Sequence, residues 1–157
     1  MSALLDIERQ VKIWVSDIPK RFITLLERSD PLAVYMASPW ITEFIDPQIN
    51  LIDCLKRKNT SLILLTRPPQ DQGTESYLNK LKAETRTRIY TNPRLHAKVY
   101  VIEGVRHKHV ILGSANFTEE ARGNIEVALH ISGSDLITKR IIYSFLGYLK
   151  PMCNFWR

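Results

Sequence analysis

Hydrophobic residues recur at two different spacings along this chain, and each spacing predicts a type of secondary structure. Apolar residues three and four positions apart predict helices over 17–29, 47–58, 74–84 and 135–149. Short apolar runs at 32–37 and 60–66 predict strands, and the nearly continuous run at 60–66 is typical of a parallel sheet covered on both faces. Asp46 followed by Pro47 predicts the N-cap and first residue of the second helix.

The second half of the chain is richer in strands than the first. Strands are predicted at 87–92, 96–102, 107–112 and 125–131, with the last helix after them. The element order is therefore αβαβαββββα, with β-α-β units first. This order predicts an α/β fold with a mixed β-sheet flanked by helices on both faces, formed as one domain over residues 1–157.

Composition and charge narrow the functional classes. The chain has 157 residues, 45% of them hydrophobic and 24% charged, which is enough apolar material for a buried core. The net charge of +6 favours a polyanionic partner such as nucleic acid. No apolar run approaches the roughly 20 residues of a membrane span, and the first residues lack a signal-peptide pattern. We therefore expect a cytoplasmic protein with no membrane partner.

Polar residues lie at the starts and ends of the predicted strands. In an extended strand His96 and Lys98 lie on one face, roughly 6–7 Å apart. A lysine ammonium binds a phosphate oxygen, and a neutral imidazole attacks phosphorus or accepts a proton. His96 and Lys98 are therefore candidate catalytic residues for phosphate chemistry.

A second polar run follows the strand at 107–112. Gly113 permits a close backbone approach, and after it Ser114 and Asn116 offer a hydroxyl and an amide that can donate to phosphate oxygens. A purely structural interpretation is also open, because Asn116 and Glu119 fit a helix-capping pattern that Gly123 would end. The two interpretations are compatible, since a capped helix start is itself an anion site.

Asn124 and Glu126 fall on one face of the last predicted strand. A carboxylate on a mostly apolar strand needs a partner if it is buried, and a hydrogen bond donated by a ring N–H of His96 to Glu126 would orient that imidazole. A solvent-exposed glutamate on an edge strand is the alternative.

Taken together, these residues resemble the phospholipase D superfamily, in its single-motif, Nuc-like endonuclease branch. The family pattern reads H-x-K, four residues, an acidic residue, and then G-S-x-N. Here it is matched by His96-Ala97-Lys98, by Glu103 in place of the usual aspartate, and by 113–116. The wording "GSANFTEEARGNIE" and the strand end "ASPWIT" at 37–42 are similar to this family as well.

The resemblance implies a metal-independent phosphodiesterase, most simply a nuclease acting on DNA or RNA through a phosphohistidine, with no cofactor. The implied catalytic residues are His96, Lys98, Ser114, Asn116 and Glu126. Strand alternation puts Glu103 on the opposite face, so it takes a supporting role. The mechanism uses two histidines and the chain carries one motif, so the resemblance implies a homodimer with a shared site.

Two other functions and one metal site stay open at this stage. The chain could be a non-catalytic or partner-dependent nucleic-acid-binding subunit of a larger nuclease complex, or a lipid phosphodiesterase of the phospholipase D type. His107 and His109 could bind zinc, but no third ligand is near in sequence, and Arg106 and Lys108 oppose a cation. A solvated basic strand is the favoured interpretation of that segment.

Overall fold

The computed structural model describes residues 10–133 and 136–157, and strands make up most of its centre. In chain order the strands are β1 (Val11–Val15), β2 (Pro31–Ala37), β3 (Phe44–Asp46), β4 (Ile49–Asn50), β5 (Ser61–Thr66), β6 (Arg86–Thr91), β7 (Val99–Gly104), β8 (Lys108–Gly113), β9 (Val127–Gly133) and β10 (Asn154–Phe155). Eight of them form one sheet in the order β1-β9-β8-β7-β2-β5-β6-β10, and β3 pairs with β4 as a separate hairpin.

The sheet is mixed because its two halves are connected differently. β2, β5 and β6 run parallel to one another, joined through helices, whereas β7, β8, β9 and β1 follow in antiparallel pairs. Tight connections suffice for antiparallel neighbours, while parallel neighbours need a crossover. The predicted fold class, a mixed sheet with helices on both faces, is confirmed.

Helices cover both faces of the sheet and bury two apolar cores. On one face lie α1 (Ile18–Arg28), α2 (Leu51–Lys58) and α3 (Gln72–Glu84), packed through residues such as Phe22, Leu55 and Leu78. On the other lies α4 (Leu136–Ser144), continued by a π-helical turn (Phe145–Leu149) and packed through Ile142 and Phe145. Of the helices in the described ranges, none is both long and apolar enough to cross a bilayer.

The predicted helix over 47–58 is wrong in its first turn. The Asp46 carboxylate accepts a hydrogen bond from the backbone N–H of Gln48 at 3.1 Å, which closes the turn between β3 and β4. The helix begins only at Leu51, where the side chain of Asn50 accepts from the Asp53 N–H at 2.8 Å. Asp46 and Asn50 are both residue types that cap helices well. In the structure Asp46 closes the turn between β3 and β4, and Asn50 caps the helix.

Other predicted boundaries also shift. β7 begins at Val99 rather than at 96, and β9 at Val127 rather than at 125, so polar residues predicted inside strands lie just before them. The first residue of the predicted helix over 135–149 lies outside the described residues. Strands β1 and β10 were not predicted, because each exists only through pairing with β9 or β6 across the fold.

Candidate active site

Four strand ends meet at one end of the sheet, which we call the site end. The register pairs Ala37 with Val99, Val99 with Leu112, and Gly113 with Ala128. Because β7 is antiparallel to β2 and β8, its start lies beside their ends, and the start of β9 lies beside the end of β8. The polar residues that flank these strands are brought to one place by this register.

Gly113 is required where β8 meets β9. A Cβ atom built there would lie 2.6 Å from the Val127 carbonyl oxygen and 2.7 Å from the Ala128 Cβ, closer than side chains pack. The predicted close approach at this glycine is therefore confirmed. It lets the Ser114 N–H donate to the Val127 carbonyl at 3.1 Å, which fixes the direction of the serine side chain.

Glu126 faces Ser114 across this junction. The Ser114 hydroxyl donates to the Glu126 carboxylate, and the Val127 N–H donates back to the Ser114 oxygen at 3.2 Å. The backbone of Glu126 is held in turn by the Ser16 N–H, which donates to its carbonyl at 2.8 Å. The expected hydrogen bond between Glu126 and the ring of His96 is not made in this conformation, because the carboxylate is turned to the serine.

His96 and Lys98 lie in an extended segment that leads into β7. The side chain of His96 is exposed, and within the described ranges its ring makes no hydrogen bond. The Lys98 ammonium donates to the His96 carbonyl oxygen at 3.0 Å. Burial lowers the pKa of Lys98, the charge of Arg67 lowers it further, and the charge of Glu126 opposes both. The lysine therefore lies within electrostatic reach of both neighbours.

Arg67 is a site residue that the sequence analysis missed. It directly follows β5, and its Nε donates to the Leu95 carbonyl at 2.8 Å, one residue before His96. Its guanidinium lies 5.1 Å from the ring centre of Trp40, an attractive cation–π distance. The available signal was its place after a buried parallel strand, because such strand ends carry binding residues.

The backbone on either side of Asn116 is fixed by buried hydrogen bonds. The Ser38 hydroxyl accepts from the Phe117 N–H at 2.8 Å, and the Tyr100 hydroxyl donates to the Ala115 carbonyl at 2.5 Å. The side-chain oxygen of Asn116 is buried and accepts no hydrogen bond from any residue in the described part of the chain. The predicted capping helix is only a short 3-10 turn (Glu119–Arg122), whose first N–H donates to the Thr42 hydroxyl instead.

A cleft of about 400 Å³ opens between these loops at the site end. Trp40, Arg67, Asn116, Asn124 and Glu126 line it, together with backbone and side chains of neighbouring residues. The cation and the amides around this cleft can bind an anion, and the carboxylate can accept a proton or a hydrogen bond there. Lys98 borders this group through its interaction with Arg67 and Glu126.

Glu103 lies at the far end of β7, away from the cleft. Its carboxylate accepts a hydrogen bond from the Tyr35 hydroxyl at 2.7 Å, on the sheet face covered by α4. Burial is the larger cause that raises the pKa of Tyr35, and the hydrogen bond to Glu103 raises it further. The acidic residue of the motif thus has a structural contact, as expected from strand alternation.

The histidines considered for zinc are arranged differently from the predicted pair. His109 Nδ1 lies 3.1 Å from His130 Nε2, a histidine 21 residues away, while His107 is exposed in the preceding turn. Burial lowers the pKa of both partners, that of His130 to about 4. In the described ranges no three metal-ligating side chains cluster.

Comparison with known proteins agrees with this fold. The family described as "Cardiolipin synthase, PLD-like domain" matches residues 34–145. Nuc from Salmonella typhimurium, a phospholipase D family member, superposes with a TM-score of 0.70 at 16% identity, covering 94% of this chain and 99% of Nuc. NucT from Helicobacter pylori superposes at 0.66 and 18% identity, over 94% of this chain and 99% of NucT.

A larger protein shares the fold over part of its length. The archaeal chromatin protein TrmBL2, described as having a novel mode of DNA binding, gives a TM-score of 0.63 at 12% identity, over 92% of this chain and 53% of TrmBL2. No curated protein matches the sequence significantly. Since the family match spans well over half of the residues and includes every strand end of the site, the chain belongs to the phospholipase D-like domain family.

Proposed function

We propose that this protein is a metal-independent phosphodiesterase, a nuclease that hydrolyses DNA or RNA in an active site shared by two copies of the chain. The observation that carries the proposal is the grouping of Lys98, Ser114, Asn116 and Glu126 at one sheet end, with an exposed histidine beside Lys98. The nuclease assignment is further supported by the net charge of +6 and by the fold shared with Nuc and NucT.

The proposed reaction has two steps. A nitrogen of His96 attacks phosphorus, a P–N bond forms and the P–O bond to the leaving oxygen breaks, while His96 of the partner subunit donates a proton to that oxygen. The partner's His96, now neutral, takes a proton from water, whose oxygen attacks phosphorus and breaks the P–N bond. Lys98 and Asn116 stabilise the negative charge on the non-bridging oxygens.

Glu126 and Ser114 act on the positions of these groups. Their mutual hydrogen bond holds the Glu126 carboxylate at the edge of the cleft, where its charge acts on Lys98. When substrate binds, the Glu126 carboxylate can release the Ser114 hydroxyl. It then accepts a hydrogen bond from the His96 imidazolium that forms during the reaction. This exchange is how we reconcile the predicted pairing of Glu126 and His96 with the contact to Ser114.

A second copy is needed because one chain supplies one such histidine. We propose that this second copy binds to the part of the sheet face that α4 leaves uncovered. On strands β1 and β9 three cross-strand apolar pairs point to that face: Val11 with Ile131, Ile13 with Leu129, and Val15 with Val127. Ile13 is 70% exposed in the single chain.

The same side of the molecule presents exposed apolar residues of α4, including Leu136 and Tyr143. We call the apolar residues of β1 and β9 on this face, Val11 to Val15 and Val127 to Ile131 in alternation, the apolar patch. A twofold dimer would place α4 of each copy on the apolar patch of the other, which buries the exposed apolar residues of both. The patch also borders the site end, because Val127 follows Glu126. A dimer through this face therefore joins the two incomplete sites.

The direct test is cleavage of labelled single- and double-stranded DNA and RNA in excess EDTA. We expect cutting to continue with EDTA present, and an acid-labile, base-stable phosphate label, trapped at short times, to map to His96 by mass spectrometry. His96→Ala should abolish both, while His107→Ala, an exposed histidine outside the site, should leave both unchanged. EDTA-sensitive cutting, or a label elsewhere, overturns the proposal.

The dimer has its own test in the oligomeric mass. Ile13→Lys together with Leu129→Lys should give a folded, inactive monomer, because two charges replace the centre of the apolar face. Phe155→Lys changes an exposed aromatic residue of β10, at the opposite edge of the sheet from β1, and should remain dimeric and active. A wild-type protein that is monomeric at micromolar concentration while fully active contradicts the shared site.

Lipid phosphodiester chemistry is the second candidate, favoured by the description of the matching family. The same site would then act on a phosphatidyl group. Release of headgroup from anionic or zwitterionic vesicles, at rates above those for DNA and RNA, would favour this function. If neither substrate class is cleaved but nucleic acid is bound, the chain is a binding subunit of a larger nuclease complex.

A further inference from the structure

A groove lined with cations runs along the sheet face opposite to the apolar patch. It lies between α1 and the edge strand β1 with its neighbour β9, and continues toward the turn that joins β7 and β8. We call it the basic groove and define it by Lys12, Trp14, Arg21, Arg28, Arg106 and His130. None of these residues belongs to the candidate active site.

The alternation along β1 creates this groove. Lys12 and Trp14 point to the α1 side, whereas Val11, Ile13 and Val15 point to the opposite face. Trp14 packs on His130 with ring centres 4.7 Å apart, and His130, only 6% exposed, is hydrogen-bonded to His109. The rings of Trp14 and His130 form the bottom of the basic groove, and the cationic side chains lie above these rings.

The cations of the groove are mostly unpaired. In the described part of the chain, Lys12, Arg28 and Arg106 have no carboxylate within ion-pair distance. Of the neighbouring charges, Lys20 is paired with Asp46 at 3.6 Å, and Asp30 lines the far end of the groove. Exposed cations of one sign along a concave surface attract a linear polyanion.

The groove leads away from the site end. Arg21 Nε donates to the Ser16 carbonyl at 3.1 Å, and the Ser16 N–H donates to the Glu126 carbonyl at 2.8 Å, so one turn joins the groove to the candidate site. From Arg21 to Arg28 the helix rises about 10 Å, the length of about three phosphates of one strand along a duplex axis.

We propose that the basic groove binds the sugar–phosphate backbone of nucleic acid several nucleotides away from the bond that is cut. This inference rests on the proposed nuclease function for its link to catalysis, but it concerns binding and can be measured without cleavage. The groove and the apolar patch lie on opposite faces, so the shared dimer leaves one groove open on each copy. The partly buried Trp14 offers the accessible part of its ring as a surface on which an unpaired base can stack.

The test neutralises three cations that make no ion pair, in the triple variant Lys12→Gln, Arg28→Gln and Arg106→Gln. A matched control, Arg86→Gln, Arg88→Gln and Arg157→Gln, removes the same charge from exposed positions on β6 and at the last residue. The probes are fluorescein-labelled 20-nucleotide single-stranded DNA, its duplex and the RNA of the same sequence, followed by anisotropy between 50 and 300 mM NaCl with the His96→Ala background to prevent cutting.

We expect the groove variant to weaken binding at least about tenfold at 100 mM salt and to reduce the slope of log K against log salt by about two. The control should change the affinity less than about threefold. Equal losses in both variants would mean that only net charge matters and would overturn the proposal. Unchanged DNA and RNA binding, with loss of binding to anionic phospholipid vesicles, would assign the groove to a membrane surface and would also overturn it.

Cleavage of bis(p-nitrophenyl) phosphate by the His96 parent separates this inference from the proposed function. This small diester reaches the active site but is too short to reach the groove. The groove variant should hydrolyse it at the parent rate and cut long nucleic acid with a raised KM. If the parent hydrolyses no diester at all, the nuclease proposal fails, while the binding result still decides the role of the groove.

Discussion

The antiparallel and parallel halves of the sheet contribute different things to the site end. The antiparallel strands β7, β8 and β9 are flanked by the proposed catalytic residues, among them Lys98, Ser114 and Glu126, and each of these three directly follows or precedes its strand. The parallel strands β2 and β5 supply the residues that hold those segments, Ser38 and Arg67.

This division has a physical reason. Antiparallel neighbours expose a start and an end side by side, so two polar segments meet at each junction. Parallel strands bring only their ends to the edge, where short segments turn outward and reach across to the neighbouring loops. The comparison teaches that the proposed reacting groups and the residues that support them can be changed separately, and variants of each should behave differently.

The largest effect is expected on the antiparallel side, at Lys98. Lys98→Met keeps the length of the side chain but removes the charge that, in our proposal, binds the phosphate in the transition state. We expect kcat to fall about 100- to 1000-fold on nucleic acid and on a small diester alike. Lys108→Met, at the opposite end of the sheet, is the control and should cut at the parent rate. Full activity of the Lys98 variant would contradict a catalytic role for this residue of the antiparallel half.

The next effect concerns the parallel side, at Arg67. Arg67→Gln loses the charge and the hydrogen bond to Leu95, so the segment before His96 is less fixed, and we expect kcat to fall about 10- to 50-fold with a smaller change in KM. Arg88→Gln, on the neighbouring parallel strand but exposed away from the cleft, should be neutral.

A pH profile distinguishes positioning from charge at the same residue. Burial and Arg67 both lower the pKa of Lys98, so activity should decline with rising pH earlier than an ordinary lysine of about 10.4 would dictate. Removing the Arg67 charge should move this decline to higher pH. A reduced rate with an unmoved pH profile would mean that Arg67 acts only through the hydrogen bond to Leu95.

The smallest effect is on stability, in the antiparallel half but outside the site. Because the folded pKa of His130 is lowered to about 4, the unfolded chain binds more protons below about pH 6.5, and stability is lost as pH falls from there towards 4. We expect a loss of about 1–2 kcal/mol in the free energy of unfolding between pH 7 and pH 5, measured by urea denaturation.

The matched variant is His109→Gln with His130→Gln, in which the pair can still form a hydrogen bond but no longer titrates. Its stability should depend less on pH over this range, whatever its absolute value at pH 7. The same slope as in the parent protein would show that other groups dominate the acid response.

Much of the fold was predictable because strong local patterns agree with the tertiary structure. The helix over 18–28 and the strand over 61–66 were predicted within a residue or two, since their apolar spacing is long and regular. The motif residues were identified by type and order. Their roles as catalytic groups remain predictions, although Lys98, Ser114 and Glu126 lie together.

The remaining features could not be read locally. Asp46 was a good helix cap in the sequence, yet the hairpin of β3 and β4 used it. His109 was paired with His107 by proximity in the chain, whereas its partner is His130 on the neighbouring strand. Each choice depends on residues that are distant in sequence, so a local pattern contains no information about it.

The sequence by itself determined the succession of helices and strands, the motif with its single histidine, and the cationic character of the protein. Only the tertiary structure decided that Arg67 supports the segment before His96, that Glu126 faces Ser114, and that the two sides of β1 become a basic groove and an apolar patch. The physical reason is that side-chain type and spacing are local properties, whereas the register between strands sets which side chains share a surface.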